Sequence, residues 1–284
     1  NNCGFTLAEA SQFVILFDDE LAMELGANIY GSVADVFVNA DGFKKSIPGP
    51  GIGNYITVGK AMGVIKSILG EEALRSRSYM SAHGTGTPQN RTTESHIFSE
   101  LAGAFGIEKW PITAVKSYIG HSVACASGDQ LASIIGTWAD GIIPGIKTID
   151  NVAPDVFTNN LEFLLEHRAI LPEAMDAAFI NSKGFGGNNA TAAILSPKIT
   201  RGMLEKKHGK TSMAKHSKLN ECVRQASSDY DDSMLAGENS VIYKYGDGVI
   251  EGNQLKLSKN NIKIPGQKHS ISLNVPNPYS DMID

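Results

Sequence analysis

The sequence predicts a layered α/β domain followed by a polar extension. Segments rich in β-branched and aromatic residues alternate with segments whose apolar residues recur at three- and four-residue steps, as strands alternate with helices. Near residue 185, two strand-like segments are joined by a glycine-rich turn, which indicates a hairpin. Beyond Pro197 the composition becomes basic and polar, and then acidic. We therefore predict one domain over residues 1–197 and an extension over residues 198–284.

The composition is that of a globular protein without a strong charge imbalance. The 284 residues are 42% hydrophobic, which is enough for a packed core, and their formal net charge of -5 does not suggest a nucleic-acid partner. No apolar run reaches the roughly 18 residues that a membrane span needs. The three cysteines lie far apart, without the spacing of a disulfide framework or a metal site. We expect a cytoplasmic protein that holds no metal.

The first elements follow from local patterns along the chain. Two strands are expected at the start, in GFTLAEASQFVILFDD and in NIYGSVADVFVNADG, because both segments are rich in β-branched and aromatic residues. From Tyr55 to Leu69 the apolar residues have helical spacing, which predicts a helix. The short strand SYMSA then leads into the loop AHGTGTP. A second helix is expected to begin at Asn90, because asparagine is a good N-cap residue.

The same order of strand, loop and helix repeats further along the chain. PITAVKS predicts a strand and YIGHS a loop, and Leu131, Ile134, Ile135 and Trp138 mark one face of the next helix. AAFINS and ATAAIL then predict two strands joined by the turn KGFGGNN. In the extension, VIYKYGDGVIEGNQLKLS alternates around a Gly-Asp-Gly turn. That pattern favours another hairpin.

Three polar loops each follow a predicted strand. One carries His83, the next carries Lys116 and His121, and KGFGGNN offers glycine backbone. Ligands of α/β sheets bind at the carboxyl ends of strands, so we expect these groups to meet in an arrangement suited to a developing negative charge. Each loop alone also has a structural explanation, as a satisfied histidine, a glycine turn or a neighbour of a helix N-cap. KGFGGNN lacks the spacing of nucleotide-binding glycine loops.

In consistent order, AHGTGTP, VKSYIGHS and NSKGFGGNNA resemble the three C-terminal motifs of the β-ketoacyl-acyl-carrier-protein synthases. These are the condensing enzymes of fatty-acid and polyketide synthesis. The resemblance covers residue 1 to about residue 197. It implies the thiolase fold, in which two similar α/β halves pack into five layers, with this chain as the second half. It also implies a homodimer, an acyl carrier protein as partner, malonyl and acyl thioesters carried on phosphopantetheine or CoA, and no resident cofactor.

The resemblance assigns roles to the residues of the first two loops. His83 and His121 would stabilise the enolate that remains when a malonyl thioester loses carbon dioxide. An ion pair between Lys116 and Glu94 would orient Lys116 and set the local electrostatic field on His121. The alternative for Glu94 is a place on a solvated helix face. Phe185 would gate access of the acyl chain, and its backbone N–H would contribute to the oxyanion hole.

The resemblance also assigns binding residues. The hydroxyl groups of Thr85 and Thr87 would bind the amides of the phosphopantetheine arm. Gly186 and Gly187 would let the backbone beside the gating phenylalanine approach the substrate closely. At Lys183 the sequence departs from the family, which has phenylalanine there, and we expect the charge to disfavour long apolar acyl groups or to contact a phosphate.

Two further features set this sequence apart. Many members carry an acid where Arg91 stands, which suggests a rearranged set of salt bridges around the second helix. The extension resembles one found in a longer subgroup of synthases, some of which start synthesis from acetyl-CoA. Its basic part, residues 201–218, has two interpretations, a docking site for an acidic carrier protein or a solvated charged helix.

The nucleophile of the family belongs to its first half, in a motif of the type ACSS that does not occur here. Cys3 and Cys125 do not stand in that context, and the sequence does not begin with methionine, so we interpret it as a fragment or a processed chain. We expect the chain alone to be inert in condensation. The alternatives are a non-catalytic partner subunit similar to a chain-length factor, or a binding or dimerisation module. Thiolases fit less well because their late glycine loop carries a cysteine, and initiation enzymes with a Cys-His-Asn site do not match two histidines and a lysine.

Overall fold

The computed structural model describes residues 4–42, 51–238 and 244–283. The chain divides into two compact units, Asn1–Gln225 and Ala226–Asp284. The helices are α1 (Asp19–Leu25), α2 (Ile52–Leu69), α3 (Glu71–Ser76), α4 (Pro88–Ala104), α5 (Lys116–Ile119), α6 (Ala126–Asp140) and α7 (Pro197–Leu235). The strands are β1 (Ser32–Ala40), β2 (Ser78–Ser81), β3 (Trp110–Thr113), β4 (Ile142–Ile143), β5 (Leu161–Phe163), β6 (Arg168–Ala169), β7 (Ala177–Gly184), β8 (Asn188–Leu195), β9 (Lys256–Leu257), β10 (Asn261–Lys263) and β11 (Ile271–Ser272).

A six-stranded sheet with the order β1-β8-β7-β2-β3-β5 forms the centre of the first unit. β2 pairs in parallel with β3 and with β7, whereas β8 is antiparallel to both β7 and β1. The carboxyl ends of β2, β3 and β7 therefore point the same way, and the loops that follow them open at one edge of the sheet. This mixed sheet between helices confirms the predicted α/β class and matches the thiolase-like half that the resemblance implies.

The sheet is buried on both faces. One face packs with α2 and α4 in a cluster that includes Met62, Phe98 and Trp110, and the other packs with α6 in a cluster that includes Tyr79 and Trp138. The hydrophobic residues of β7 alternate between these clusters, as successive side chains of a strand must. The two layers of helices hold the central strands rigidly, and the site lies at the ends of those strands.

The predicted helices are confirmed, with one change of boundary. α2 and α6 cover the residues whose apolar spacing predicted them. α4, however, begins at Pro88 with Thr87 as its N-cap, so the predicted start at Asn90 was wrong. Proline fits the first helical position because its fixed φ suits the helix and its missing N–H would have no partner there. Asn90 is then free to use its side chain inside the helix, where it donates to Glu94 at 3.0 Å.

The first predicted strand does not form within the described residues. From residue 5 to residue 18 the chain forms neither a helix nor a strand, and its one bridge joins Leu7 to His121. Its apolar side chains are exposed, with Phe13 at 93% and Ile15 at 75%. The composition was right for a strand, but a strand also needs a neighbouring ladder. The second predicted strand is confirmed as β1.

The extension begins with a long helix. α7 starts at Pro197, the point where the composition changes, and is interrupted at Gly209, whose φ and ψ are 81° and 160°. The hairpin predicted around the Gly-Asp-Gly turn was wrong for the part that the structure describes, and residues 241–243 of its first arm lie outside that part. There the chain turns at Gly246 and Gly248, but β9 pairs with β10 instead. No helix among the described residues is long and apolar enough to cross a membrane.

Candidate active site

His83 lies just beyond the end of β2, in a turn fixed by glycine. The strand ladder continues to Ala82, whose N–H donates to Thr113 O at 2.9 Å. Gly84 then takes a φ of 54°, and a Cβ there would stand 2.6 Å from Ala114 Cβ. Only glycine fits both the left-handed backbone and this close approach. The turn directs the His83 side chain to the edge of the sheet, where it is 4% exposed.

His121 meets His83 from the loop that follows α5. The two ring centroids are 5.3 Å apart and the rings are nearly perpendicular, at 83°. The N-terminal segment holds the backbone of this loop, because His121 N donates to Thr6 O at 2.7 Å and Ala8 N donates to His121 O at 3.0 Å. The Phe5 ring lies against the other side of the imidazole, with centroids 5.1 Å apart. The predicted pair of histidines is thus brought together.

The tautomer of His121 follows from its neighbour in the chain. Val123 N donates to His121 Nδ1 at 3.0 Å, so a neutral imidazole must carry its proton on Nε2. Val123 reaches this position with a φ of 57°, a conformation that is unfavourable for a β-branched residue. The strained backbone therefore sets which ring nitrogen can donate to a ligand.

Both histidines are held in the neutral form. Burial, together with the charges of Lys116, His121 and Lys183, lowers the pKa of His83 to about 2. The pKa of His121 is also lowered, by burial and then by Lys116, while Asp129 opposes the change. His83 Nδ1 is buried and has no hydrogen-bond partner among the described residues. The site therefore offers a neutral ring with a polar atom that is not yet satisfied.

Lys116 provides the positive charge of the site. It is the first residue of α5 and is 7% exposed. Burial lowers the pKa of Lys116 to about 8, although the carboxylates of Glu94 and Asp129 act in the opposite direction. Within the part of the chain that the structure describes, its Nζ has no hydrogen-bond partner. An anionic ligand would find a buried cation without a competing direct contact.

The expected ion pair between Lys116 and Glu94 is absent from the described residues. The Glu94 carboxylate instead accepts four N–H donors: His83 N at 2.7 Å, Gly84 N at 2.9 Å, Asn90 Nδ2 at 3.0 Å and Asn181 Nδ2 at 2.7 Å. These donors occupy its lone-pair directions, so the lysine is not needed to satisfy it. Glu94 is 4% exposed and is not on a solvated face of the helix. It holds the backbone of the histidine turn.

The two threonines of the same loop lie side by side. Thr85 Oγ1 and Thr87 Oγ1 are 3.2 Å apart, and Thr85 is 8% exposed. Gly86 between them takes a φ of 72°, so the loop turns and is not a simple extended segment. The two hydroxyl groups nevertheless face the same region, as expected for a pair that binds one ligand.

The third loop reaches the same edge of the sheet. β7 and β8 pair up to Gly184 and Asn188, so Phe185, Gly186 and Gly187 form the tip of their hairpin. Both of these glycines have φ near 80°. Phe185 is 70% exposed. Its predicted gating role and the oxyanion hole remain predictions.

The two departures from the family lie at different depths. Lys183 on β7 is 6% exposed and close enough to His83 for its charge to lower the pKa of that ring. Arg91 lies on the outer face of α4 and forms a two-pronged ion pair with Asp155, at 2.9 Å from both Nε and Nη2. Arg91 thus has a salt-bridge partner in this chain, and a rearrangement relative to the family stays a prediction.

No group of three His, Cys, Asp or Glu side chains among the described residues could hold a metal ion. Cys125 is a partly buried free cysteine, and Cys222 is exposed on α7. Cys3 lies outside the described residues.

The chain is similar to known proteins in sequence. Residues 30–150 match the family model described as the C-terminal domain of beta-ketoacyl synthases. The beta-ketoacyl-[acyl-carrier-protein] synthase FabY of Pseudomonas aeruginosa is 49% identical over the whole chain, which spans 44% of that protein. A 3-oxoacyl-[acyl-carrier-protein] synthase 2 of Synechocystis is 31% identical over 193 residues, which are 67% of this chain and 43% of that protein.

The fold comparison gives the same relationship. The crystal structure of the noncanonical ketosynthase FabY from P. aeruginosa superimposes with a TM-score of 0.92 at 48% sequence identity. The match covers 100% of this chain and 44% of that chain. The chain therefore spans less than half the length of these relatives.

Proposed function

Because the chain belongs to the beta-ketoacyl synthase family and carries its C-terminal domain, we propose that it supplies the decarboxylating half of a condensing active site. The reaction would be the Claisen condensation of an acyl thioester with malonyl-carrier protein in fatty-acid synthesis. The observation that carries this proposal is the pair of neutral, perpendicular imidazoles of His83 and His121 beside the buried Lys116.

The geometry suits the loss of carbon dioxide from a malonyl thioester. When the bond to the carboxylate breaks, its electron pair moves into the enolate and negative charge develops on the thioester oxygen. His121 donates through Nε2–H, and His83 supplies the second ring N–H. A preorganised N–H donor stabilises this charge as it forms, and a neutral imidazole retains its proton where an imidazolium would tend to transfer it to the enolate. The low pKa of both rings supports this role.

Lys116 acts beside this pair. Its charge lowers the pKa of both histidines and therefore favours their neutral form. The same charge attracts the anionic substrate. Glu94 does not share this work through a direct ion pair; its part is to hold the backbone amides of the His83 turn.

The carrier arm would enter past the threonines. The hydroxyl groups of Thr85 and Thr87 are spaced to bind neighbouring groups of one amide chain, which supports phosphopantetheine delivered by an acyl carrier protein. Phe185, Gly186 and Gly187 would line the entrance for the acyl group. Since the reactive groups arrive on the substrate, the proposal requires no resident cofactor. We propose a cytoplasmic homodimer, as for the family that the motifs resemble.

Condensation also needs a thiolate that holds the acyl group. We propose that this thiolate comes from outside these 284 residues, because the family's nucleophile belongs to an ACSS-type motif of the first half. Cys125 is the N-cap of α6 and Cys222 is exposed on α7, but neither stands in that motif. The enolate carbon then attacks the acyl thioester carbonyl, the new carbon–carbon bond forms, and the cysteine leaves as thiolate. The 284-residue chain alone should therefore form no condensation product.

The test is decarboxylation of malonyl-carrier protein by the full-length synthase that contains these residues. Changing His83 or His121 to alanine should lower the rate by roughly a hundredfold or more, because each change removes one donor to the developing enolate. His269→Ala is the matched control, since His269 is exposed in the second unit. Decarboxylation at the unaltered rate in both active-site variants would contradict the proposal. A synthase that decarboxylates but never condenses would favour the partner-subunit alternative.

A further inference from the structure

Buried side chains hold the backbone on both sides of His83. Before it, Gln130 Nε2 lies 2.8 Å from Ser81 O and 2.8 Å from Ala82 O. At and after it, His83 N and Gly84 N donate to Glu94, as described above. Gln130 is completely buried and Glu94 is 4% exposed. Side chains of α6 and α4, which pack on opposite faces of the sheet, thus form hydrogen bonds with consecutive peptide groups of one turn.

Asn181 on β7 contacts both of these side chains, Glu94 and Gln130. Its Nδ2 donates to Glu94 Oε1 at 2.7 Å, and its backbone oxygen lies 3.3 Å from Gln130 Nε2. On the other side its Oδ1 accepts from Asn54 Nδ2 at 2.7 Å and from Thr191 Oγ1 at 3.1 Å. Asn181 is completely buried and lies in the middle of the paired strand, so its side chain has little freedom.

We propose that Asn181 is a positioning residue for His83, acting through Glu94. The inference rests on the proposed function, in which the direction of the His83 ring decides how well it meets the enolate. A buried carboxylate needs hydrogen-bond donors, and Asn181 supplies a neutral one that also fixes the orientation of the carboxylate plane. Without this donor, Glu94 can rotate and the His83–Gly84 turn loses its anchor. The identity of the residue matters because an amide can donate to Glu94 and accept from Asn54 at the same time.

The first test measures the turn without any reaction. Amide hydrogen exchange is recorded for the full-length protein and its Asn181→Ala variant. We expect exchange at His83 and Gly84 to become at least tenfold faster in the variant, while the amide of Ile112 on the neighbouring β3 changes less than twofold. The matched control is Asn220→Ala, which removes a part-buried amide that donates to Gly26 O and Asn28 on the other side of this unit. Unchanged exchange at His83 and Gly84 in the Asn181 variant would overturn the proposal.

The second test uses Asn181→Asp, which changes only the donating end of the side chain. As an ionised carboxylate the new side chain cannot donate to Glu94 and repels it; once protonated it is nearly isosteric with asparagine and donates an O–H. Two adjacent carboxylates share protons above their usual pKa, so the repair should occur as pH falls towards neutrality or below. We expect malonyl decarboxylation by Asn181→Asp, relative to wild type, to rise at least fivefold from pH 8 to pH 6. The same ratio for Asn181→Ala should stay flat, and KM should change less than kcat in both variants.

The exchange and pH measurements together distinguish a failure of the positioning role from a failure of the proposed function. A ratio that does not depend on pH for Asn181→Asp would overturn the positioning role even if the protein is folded and active. If the wild-type protein does not decarboxylate malonyl thioesters, the proposed function fails, and the exchange measurement still decides whether Asn181 holds the turn.

Discussion

Lys116 carries a charge where burial disfavours it, and this has a measurable effect on stability. The pKa of Lys116 is about 8 in the folded chain and 10.5 when exposed, so between these values the unfolded chain binds the additional proton. The free energy of unfolding is therefore highest above about pH 10.5, where Lys116 is neutral in both states. It decreases as pH falls from 10.5 to about 8. The whole effect is on the order of 3 kcal/mol.

Comparison with Lys116→Met isolates this contribution. At pH 7 we expect the variant to be more stable than wild type, because an apolar side chain of similar length avoids the desolvation of a charge. The difference should shrink as pH rises from 8 to 10.5, and urea unfolding of both proteins at several pH values measures it. A difference that grows with pH would show that Lys116 is stabilised by a partner in the folded chain.

Gly84 is the backbone residue on which the histidine turn depends. Gly84→Ala should lower the free energy of unfolding by roughly 2–4 kcal/mol, since it adds the cost of a left-handed alanine to the clash with Ala114. Gly63→Ala is the matched control, because Gly63 lies within α2 and its added methyl group would meet nothing within 4 Å. Urea unfolding of the two variants checks this. Equal effects would contradict the special role of Gly84.

At the same scale, the sequence predicted which residues gather but not every contact between them. The loops of His83, Lys116 and His121 could be recognised because each follows a strand-like segment and carries polar groups. The partner of Glu94 could not be predicted, because Asn181 lies 87 residues away and reaches it only through the pairing of β7 with β2. The local sequence shows only that two asparagines, Asn54 and Asn181, occur within segments of helix and strand pattern.

α7 gives a prediction at the scale of elements. Gly209 interrupts the helix with a φ of 81° and a ψ of 160°, and contacts on both sides keep the interruption in place. His208 Nε2 lies 2.5 Å from Asp19 Oδ2 before it, and His216 Nε2 lies 3.0 Å from Ala27 O after it. An alanine must either adopt a conformation that is open almost only to glycine or straighten the helix and lose one of these contacts.

We therefore expect two glycines of one helix to respond with opposite signs. Gly209→Ala should lower the free energy of unfolding by about 1–3 kcal/mol. Gly202→Ala, within the regular part of α7 and with nothing within 4 Å of its added methyl group, should raise it by about 0.5–1 kcal/mol. Thermal unfolding of both variants provides the measurement. Stabilisation by both would mean that the interruption is not maintained in solution.

The elements that could be predicted are those stabilised by their own residues. The apolar stripes of α2 and α6 and the glycine turn between β7 and β8 carry their signal locally, and all three are confirmed. The first predicted strand failed because its formation depends on a neighbouring ladder that local sequence does not reveal. The start of α4 was predicted wrongly because Pro88 and Asn90 both suit a helix start and lie close together in the sequence.

For the molecule as a whole, Trp110 links the central sheet to the helices. Its side chain is completely buried, packs edge-to-face on Phe98 and Phe179, and donates from Nε1 to Ser78 Oγ at 3.1 Å. Trp110→Ala should lower the free energy of unfolding by about 3–5 kcal/mol, and Trp110→Phe by roughly 1–2 kcal/mol, since phenylalanine keeps part of the packing and loses the hydrogen bond. Fluorescence of Trp138, the other tryptophan, follows urea unfolding in both variants. A decrease in the free energy of unfolding of less than about 1 kcal/mol for Trp110→Ala would show that Trp110 is not central to the core.

The overall class was the most predictable level, because alternating strand and helix patterns leave few architectures. The strand order was not predictable, since β8 inserts between β1 and β7 and makes one edge of the sheet antiparallel. That arrangement brings the start of the chain to the same sheet as residues near 190, and no pattern within either segment encodes it.

The pairing of the N-terminal segment with the His121 loop sets an order of events during synthesis. Ala8 and His121 are separated by 113 residues (121 minus 8), and their backbone hydrogen bond is part of the site. At 5–20 residues per second, a ribosome needs roughly 6 to 23 seconds to synthesise that interval. Residues 5–8 leave the ribosome before the loop that receives them, so the apolar side chains of Phe5 and Leu7 stay in water until that loop has been made. Nascent chains halted before residue 121 should therefore be the ones that recruit chaperones.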